Sequence, residues 1–521
     1  MLFNSYLFVF LFFPICLAGY YGLIHWKKKE LAQLFLTLMS FWFYGYFQMN
    51  YLLIMILSIA VNYLFHKILS GGISRPLSRC VMILAITVNL GVLFYFKYYD
   101  FFIANVNVVF RTSYALRHIV LPLGISFFTF QQIGFIVDTY RGEVKNCGLL
   151  SYALFVAFFP QLIAGPIVSQ SEMLVQFERI TDRKFDWEKF SKGFILFILG
   201  LFKKVILADT LGAGVDYGYS NIEILGRMDA IVVILSYALQ LYFDFSGYCD
   251  MARGIGSMLG IDIPVNFNSP YKASNIIDFW KRWHITLNRF FMRYVYIPLG
   301  GNRKGNTRTY INLLLVFFLS GLWHGAGWNF IVWGMMHGIL YVITRWWQNL
   351  RGKKGPDMKN TTNMSEINIA GSFAISKIQR KKNRIRNTIM TLVSKICLFL
   401  YVSIAWVYFR AKTIAQANGL LLTAIRGNLQ KLSLNLAECY QLDEFWYVLK
   451  VLHLDGMSYS RYILMLAMLI VGVCLSMVSR NAAEIADRVK GKTISAMLFG
   501  AVFVWCVLSF SGVSTFLYFN F

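Results

Sequence analysis

Long apolar runs recur from one end of the chain to the other, and they constrain its fold more than any other feature. Runs such as 51–69, 229–248 and 461–478 approach the length of about 20 residues that a helix needs to cross a bilayer. Hydrophobic residues make up 57% of the chain and charged residues only 14%, whereas soluble domains carry roughly a quarter charged residues. Because backbone groups inside a bilayer must be hydrogen-bonded within the chain, such runs fold as helices. We therefore predict an all-α polytopic integral membrane protein, with about ten to twelve transmembrane helices plus re-entrant and amphipathic helices.

Basic residues set the expected orientation in the membrane. The apolar run 2–24 lacks a basic segment before it, so we expect a membrane span rather than a cleaved signal peptide. The lysines at 27–29 and the basic stretch 480–492 should stay in the cytoplasm by the positive-inside rule. We therefore expect a multi-pass protein of a cell membrane, with the N-terminus and the last segment, 516–521, on the extracytoplasmic side.

Two segments hold much of the excess of 50 Lys and Arg over 25 Asp and Glu. Segment 345–389 has eleven basic and two acidic residues, and segment 272–308 has eight basic and one acidic. Since the positive-inside rule accounts for basic loops and no RNA-binding signature is present, we predict membrane lipid and no nucleic acid as a partner. We expect a single domain over 1–521, with a core at about 90–345, a cytoplasmic basic loop at 345–389 and C-terminal spans at 390–521.

The segment 274–296 is polar and aromatic although it lies between apolar runs. At a spacing of 3.6 residues, Ile277, Trp280 and Leu287 fall on one side, which predicts an amphipathic helix that Ser274 caps at its start. Such helices often lie along a membrane surface.

Ionisable residues inside membrane spans are expensive, so each is a candidate for function. His324 stands between two small-residue steps in SGLWHGAGWN, and histidine is the side chain best suited to transfer a proton near neutral pH. A histidine that only bonds neighbouring helices is the alternative. The flanking glycines and tryptophans favour function, whereas His337 is interpreted as structural.

Three other clusters carry weaker signals. His284, with Asn288 nearby, lies 40 residues before His324 and could converge with it, although an interfacial anchor is the simpler interpretation. Asp244 and Ser246 belong to an apolar helix, where a carboxylate either lines a cavity or pairs structurally. Two prolines in 159–167 indicate a broken helix.

The eight cysteines show no CxxC motif and no paired spacing, and most lie in apolar stretches. They predict neither a disulfide framework nor a metal site.

Taken together and in this order, the motifs resemble the membrane-bound O-acyltransferase family, and most closely its bacterial branch that acetylates alginate, other polysaccharides and peptidoglycan. The resemblance covers nearly the whole chain. Besides the N-terminal run, the motifs are YFKYYDFF (95–102), LPLGISFFTFQQIGFIVDTYRGE (121–143), FFPQLIAGPI (158–167), FKKVILAD (202–209), LYFDFSGYCDMA (241–252), FWKRWHITLNRFFMRYVYIPLGGNRKG (279–305) and SGLWHGAGWNFIVWG (320–334).

The resemblance implies a helical fold around a central tunnel, in which an acyl thioester from the cytoplasm meets a hydroxyl acceptor from the other side. It implies an essential histidine, matched by His324, and a second one matched by His284. His324 would act as general base, and His284 or Asn288 would hydrogen-bond the developing oxyanion or orient the acyl group. The remaining candidates for the tunnel or for donor binding are Asp244, Ser246, Trp323, Lys281, Arg282 and Arg303, the last three as a basic site for the phosphates of coenzyme A.

The last six residues, FLYFNF, are similar to the tail of the small partner peptide in the related D-alanylation machinery, where a tyrosine is proposed as a transient acyl carrier. By this resemblance Tyr518 is a candidate acyl relay. An aromatic anchor at the membrane interface is an equally good interpretation.

We therefore expect an O-acetyltransferase that moves acetyl, with acetyl-CoA as the expected donor, across the membrane toward an alginate-like exopolysaccharide, cellulose or peptidoglycan. No bound cofactor and no metal are expected, and the expected partner is an extracytoplasmic SGNH-type acetyltransferase. A carrier-protein donor stays open. The alternatives are a transporter or flippase, a scaffold of an exopolysaccharide synthase, and an acyltransferase for lipids or proteins.

Overall fold

The structure is a computed structural model that describes residues 1–144, 147–182, 184–352, 369–453, 458–489, 493–512, 516 and 517. Every regular element within these ranges is helical, which confirms the predicted all-α class. The α-helices are α1 (Phe13–His25), α2 (Lys29–Gly45), α3 (Met49–Ser70), α4 (Arg75–Leu93), α5 (Tyr99–Phe110), α6 (Ile125–Tyr140), α7 (Leu149–Ala157), α8 (Phe159–Leu162), α9 (Gln170–Glu178), α10 (Trp187–Leu201), α11 (Asp209–Ser220), α12 (Arg227–Met258), α13 (Ile276–Arg282), α14 (Ile285–Phe291), α15 (Gly305–His324), α16 (Trp328–Gly352), α17 (Ile369–Arg410), α18 (Ile414–Arg426), α19 (Leu434–Glu438), α20 (Asp443–Val451), α21 (Ser458–Met477), α22 (Ala482–Arg488) and α23 (Thr493–Leu508). Four π-helical segments, Phe8–Phe12, Phe94–Tyr98, Phe202–Ala208 and Met292–Tyr296, precede or extend them, and short 3-10 turns cover Ile180–Asp182, Ile222–Ile224, Pro270–Lys272 and Ser509–Gly512.

The protein is a multi-pass membrane protein. Six helical stretches of the described chain are long and apolar enough to cross a bilayer. The predicted ten to twelve crossings exceed this number, because other long helices, such as α15, begin with polar turns and α23 is short. The total number of crossings stays a prediction. The six stretches are Phe8–His25, Met49–Ser70, Arg75–Phe110, Arg227–Met258, Arg386–Arg410 and Tyr459–Met477.

The long helix α12 runs through the interior, and α10 packs closely along it. A Cβ atom on Gly200 would lie 2.7 Å from the backbone oxygen of Gly247, and one on Gly193 would lie 2.6 Å from that of Gly254. Small residues at these crossings let the two backbones approach, as is common between helices in membranes. The approach also brings the π-helical segment Phe202–Ala208 against the middle of α12, where the protein buries an ion pair.

The single amphipathic helix predicted over 274–296 is wrong. Two short helices, α13 and α14, replace it, and Asn275 rather than Ser274 caps the first, accepting a hydrogen bond from the backbone N–H of Asp278 at 2.9 Å. The chain breaks at Trp283 and His284, where His284 adopts the left-handed conformation (φ 45°, ψ 52°). Both side chains are buried in the protein, so the segment does not simply rest on a membrane surface.

Of two other predicted segments, the broken helix is present and the basic loop is partly helical. The broken helix at 159–167 is confirmed, because α7 ends at Ala157 and the four-residue α8 is followed by an irregular stretch. The predicted basic loop 345–389 is helical at both ends, since α16 continues to Gly352 and α17 begins at Ile369. The intervening residues 353–368 lie outside the described residues.

The main hydrophobic cluster includes side chains from Met1 through α12 to Phe516. A cluster that draws on both ends of the chain is what a single-domain protein requires, and the domain boundaries stay a prediction.

Candidate active site

His324 is the last residue of α15, and a short turn separates it from α16. Gly325 is extended there (φ −164°, ψ 151°), and a Cβ atom on it would fall 2.1 Å from the Phe330 ring. A Cβ atom on Gly321 would lie 2.4 Å from the backbone oxygen of Phe330. Glycine therefore allows the tight turn and the close packing that hold His324 in the interior, where it is 2% exposed.

His284 lies next to His324, although an interfacial anchor was the simpler interpretation of its sequence context. Their ring centroids are 6.3 Å apart, and His284 is fully buried. The helix break before α14 turns the His284 side chain inward. Two rings at this distance are close enough for one hydroxyl group to contact both, so the pair is the best candidate for acid–base chemistry in the described chain.

Asn266 holds His284 in place, and the sequence analysis missed it. Its Oδ1 atom lies 3.1 Å from Nδ1 of His284 and accepts hydrogen bonds from the hydroxyl and the backbone N–H of Thr286. The backbone oxygen of Asn266 also accepts from the N–H of Ile285 at 3.0 Å. These contacts stabilise the break between α13 and α14.

Lys97 holds His324 from the other side, and it was also missed. Its Nζ atom donates to the backbone oxygens of Trp323 at 2.6 Å and His324 at 3.3 Å, and to Oγ of Ser126 at 3.2 Å. The last carbonyl groups of a helix carry partial negative charge and lack partners within the helix. The Lys97 ammonium therefore caps the end of α15 at the point where His324 stands.

A cavity of about 800 Å³ opens beside the turn that follows His324. Its wall contains both apolar and polar side chains, and it includes an ion pair between Arg410 Nη2 and Asp216 Oδ1 at 2.6 Å. We call it the larger cavity. It is lined by Phe96, Lys97, Ile119, Leu121, Asp209, Gly212, Ala213, Asp216, Gln240, Gly325, Ala326, Gly327, Asn329, Phe330, Phe409, Arg410, Ala411, Lys412 and Leu517.

A second cavity, of about 240 Å³, lies between α6, α9 and α14, and we call it the smaller cavity. Arg289 and Arg293 line it, and both are paired: Arg289 binds Glu172 through two hydrogen bonds of 2.5 and 2.8 Å, and Arg293 binds Asp138 and Glu143. Burial acts to raise the pKa of Glu172, but the hydrogen bonds from Arg289 and from the Ser169 backbone outweigh it and lower that pKa. The arginine charges at this cavity are therefore compensated within the protein.

Trp323 lies between the smaller cavity and the histidines. Its ring stacks on Phe130 with centroids 5.4 Å apart and lies 4.8 Å from the His324 ring and 6.1 Å from the His284 ring. Phe130 lines the smaller cavity and stacks in turn on Phe290 at 4.3 Å. A wall of aromatic rings therefore stands between this cavity and the histidine pair.

Residues 139–369 match the model of the membrane-bound O-acyltransferase family. The chain is 36% identical to peptidoglycan O-acetyltransferase of Helicobacter pylori over 557 aligned positions, which cover 100% of this chain and 98% of that protein. The chain belongs to the membrane-bound O-acyltransferase family. It is therefore an acyltransferase, as the motifs predicted.

Two further relatives match part of the chain. The chain is 40% identical to the probable alginate O-acetylase AlgI of Pseudomonas aeruginosa over 351 positions, or 66% of each chain. It is 30% identical to the teichoic acid D-alanyltransferase of Streptococcus thermophilus over 249 positions, which cover 44% of this chain and 58% of that one.

Several residues predicted for the family site occupy other positions in the structure. Both amide hydrogens of Asn288 are engaged by the backbone oxygens of Trp280 at 2.6 Å and Trp283 at 2.8 Å. Asn288 therefore stabilises the helix break, and a role for it at the oxyanion or the acyl group stays a prediction.

The predicted basic site is not part of either cavity. Arg282 pairs with Asp278 at 2.9 Å, and Lys281 and Arg303 are exposed to solvent. The spacing of basic residues in the sequence could not show that they lie away from the cavities. Spacing alone does not tell the inward-packed face of α13 from its outward face. A role for these residues in attracting a donor stays a prediction.

Asp244 and Ser246 are buried but line neither cavity. Asp244 pairs with Lys204 at 2.7 Å. Its other oxygen accepts from the backbone N–H of Leu517 at 3.0 Å. The carboxylate thus connects a segment near the end of the sequence to α12, and a role for Asp244 or Ser246 in the tunnel stays a prediction.

Tyr518 lies outside the described residues. The two residues before it are placed: the Phe516 ring centroid is 4.6 Å from Nζ of Lys204, and Leu517 lines the larger cavity.

No group of three or more His, Cys, Asp or Glu side chains that could hold a metal ion occurs in the described part of the chain.

Proposed function

We propose that the chain is an O-acetyltransferase that takes acetyl from a thioester donor in the cytoplasm, acetyl-CoA, for the O-acetylation of a polysaccharide outside the membrane. The observation that carries the proposal is the buried histidine pair, which adjoins the larger cavity through Gly325 and the smaller cavity through the stacked rings of Trp323 and Phe130. The names of the relatives support acetyl as the transferred group and peptidoglycan or alginate as acceptors.

The positive-inside rule assigns a side to each cavity. α17 begins next to the basic segment and ends at Arg410, which lines the larger cavity, and its part Arg386–Arg410 is long enough to cross a membrane. The larger cavity thus faces away from the cytoplasm and would receive the acceptor. α9, which lines the smaller cavity, is tied to α2 by a hydrogen bond of 2.9 Å from Gln33 to Phe177, near the lysines at 27–29. The smaller cavity thus faces the cytoplasm and would receive the donor.

The transfer itself needs a base and a dry site. The acceptor hydroxyl gives its proton to His324 while its oxygen forms a bond to the acetyl carbon. The carbon–sulfur bond then breaks, and the thiolate leaves with the electron pair and takes up a proton to become the free thiol. General base catalysis contributes roughly 10²–10⁴ in rate, and a buried site excludes the competing hydroxyl of water.

Tyr518 extends the proposal to the acceptor. Leu517 lines the larger cavity, and Tyr518 is the next residue in the chain. We propose that the Tyr518 hydroxyl takes the acetyl group first and passes it to an extracytoplasmic SGNH-type acetyltransferase, which acetylates the polysaccharide. Such a covalent relay divides one transfer into two easier ones.

The experiment measures the product in the bacterium that carries the gene. After deletion of the gene, the alkali-labile acetate is determined separately in the peptidoglycan and in the exported polysaccharide. We expect one of the two fractions to lose its acetate and to regain it with the wild-type gene. Unchanged acetate in both fractions would contradict the proposal.

Membrane vesicles test the donor and the side on which it binds. Acetyl-CoA labelled in the acetyl group should be consumed by inverted vesicles, which expose the cytoplasmic face, and not by sealed right-side-out vesicles. Consumption only by right-side-out vesicles would reverse the assignment of the two cavities. A vesicle preparation that transports label without releasing coenzyme A would favour the transporter alternative.

A further inference from the structure

The hydrogen bonds around Asn266 determine which nitrogen of His284 carries the proton. The Oδ1 atom of Asn266 accepts from two groups of Thr286: the backbone N–H at 3.2 Å and the hydroxyl at 2.9 Å. A backbone N–H can only donate, so the side-chain atom facing it must be the amide oxygen.

The rest of the contacts agree with this orientation of the amide. The Thr286 hydroxyl accepts from the backbone N–H of Ile167 at 2.9 Å, which leaves its own hydrogen for Oδ1 of Asn266. The Nδ2 atom of Asn266 points to Sγ of Cys249 at 3.4 Å, where it donates to a weak acceptor. If the Asn266 amide were flipped, its NH₂ group would face the backbone N–H of Thr286, and two donors would oppose each other.

Nδ1 of His284 lies 3.1 Å from this same oxygen, which cannot donate. Nδ1 must therefore carry the hydrogen of a neutral imidazole, and Nε2 must carry the lone pair, because the bond made by one ring nitrogen fixes the state of the other. We propose that Asn266 is a positioning residue that holds His284 as the Nδ1–H tautomer and thereby makes its Nε2 a proton acceptor beside His324.

This inference changes the role expected for His284 and rests on the proposed function. A neutral imidazole with a lone pair on Nε2 accepts a hydrogen bond or a proton from the acceptor hydroxyl or from His324. It cannot donate from Nε2 to an oxyanion, which is the role that the family resemblance suggested. Asn266 thus serves His284 as the third member of a catalytic triad serves its histidine, by fixing the tautomer and the direction of the ring.

Nitrogen NMR tests the tautomer without any assay of activity. The full-length protein, labelled with ¹⁵N in its histidines and embedded in lipid bilayers, is compared with the His284→Gln variant to identify the His284 signals. We expect the protonated signal to belong to Nδ1 and the unprotonated signal to Nε2. A protonated Nε2 with an unprotonated Nδ1 would overturn the proposal, even if acetyl transfer is confirmed.

Kinetics of Asn266 variants test whether holding His284 in this tautomer matters for the rate of acetyl transfer. Asn266→Leu removes the acceptor and should lower kcat by about 10²-fold with little change in the donor KM, in keeping with the loss of one acid–base group. Asn266→Asp keeps an oxygen acceptor for Nδ1 and Thr286 and should restore most of kcat. The matched control is Asn89→Leu, which removes an equally buried asparagine that bonds Asn62 and the backbone of Ala85.

The outcomes separate a positioning role from a purely structural one. If Asn266→Leu and Asn89→Leu lower thermal stability alike and neither lowers kcat of the folded protein, Asn266 is only structural and the proposal is wrong. If the wild type shows no acetyl transfer, the proposed function fails, and the NMR result still decides the tautomer.

Discussion

The Nζ atom of Lys97 lies 2.6 Å from the backbone oxygen of Trp323, the residue before His324, although 226 positions separate the two residues in sequence. Lys97 therefore caps the helix that ends at His324. A hydrogen bond to a charged group contributes about 1.5–3 kcal/mol, which corresponds to roughly 10–100-fold in rate when it acts on the transition state. We predict that Lys97→Met lowers kcat within this range in membrane vesicles, because the end of α15 loses its cap.

Lys97→Arg is the matched variant, since it keeps a cationic donor near the same carbonyl groups. It should retain more activity than Lys97→Met at equal amounts of folded protein. Equal activity of Lys97→Met and the wild type would show that the cap does not position His324.

Phe290 and its stacked partner Phe130 form the wall between the smaller cavity and Trp323. We predict that this wall restricts the acyl group to acetyl, because a longer chain has no space beyond it. One methylene group in an apolar pocket is worth about 1–3 kcal/mol of discrimination. Phe290→Ala should therefore raise the ratio of kcat/KM for butyryl-CoA to that for acetyl-CoA by about tenfold or more.

The neighbouring residue supplies the control for that experiment. Phe291 also contacts Phe130, with centroids 5.7 Å apart, but it does not line the smaller cavity. Phe291→Ala should leave the ratio near the wild-type value. The same change in both variants would indicate general loosening of the core rather than a selective wall.

Lys281 and Arg303 are exposed, whereas Arg289 and Arg293 at the smaller cavity are paired with carboxylates. Attraction of the phosphates of coenzyme A would therefore depend on the unpaired surface charges. We predict that the double variant Lys281→Gln, Arg303→Gln raises the donor KM several-fold at low salt with kcat unchanged. The difference should shrink as salt screens the charges.

Two other exposed basic residues, Arg426 and Lys431, provide a control of equal charge. Their replacement by glutamine should leave the donor KM unaltered. An unchanged KM in the first variant would mean that the basic residues at 281 and 303 only set the topology.

Tyr518 is tested by removing one oxygen atom. Tyr518→Phe keeps an aromatic anchor and loses the hydroxyl that would carry acetyl, so we predict that polysaccharide acetylation stops while membrane levels of the protein stay normal. The measurement is alkali-labile acetate in the purified polysaccharide. Acetylation at the wild-type level would exclude the relay and leave Tyr518 as an anchor.

The sequence was sufficient to predict the features that depend on composition and on adjacent residues. Apolar runs predicted the helical class, the prolines of 159–167 predicted a broken helix, and motifs predicted the two histidines. The break at His284 was missed because apolar residues continue at helical spacing across it. Its stabilisation comes from Asn266, in a preceding loop, and such contacts are invisible to periodicity.

Lys97 was missed for a related reason. A lysine in an apolar run is a candidate for function, but its importance comes from carbonyl groups more than two hundred residues away. The same holds for Asp244, whose pairing with Lys204 depends on the packing of α10 on α12. Pairings between distant helices are set by tertiary structure.

The release of coenzyme A by His324→Ala tests the central claim most directly. Inverted membrane vesicles with equal amounts of wild type, His324→Ala and His337→Phe are given acetyl-CoA, and the free thiol is measured over time. His337 is a suitable control because it is buried among Phe279, Trp280, Trp333 and Trp406 and was assigned a structural role. We predict that His324→Ala loses about 10²-fold or more of the rate, as expected for loss of a general base, while His337→Phe keeps most of it. A rate for His324→Ala within a few-fold of the wild type would contradict the account.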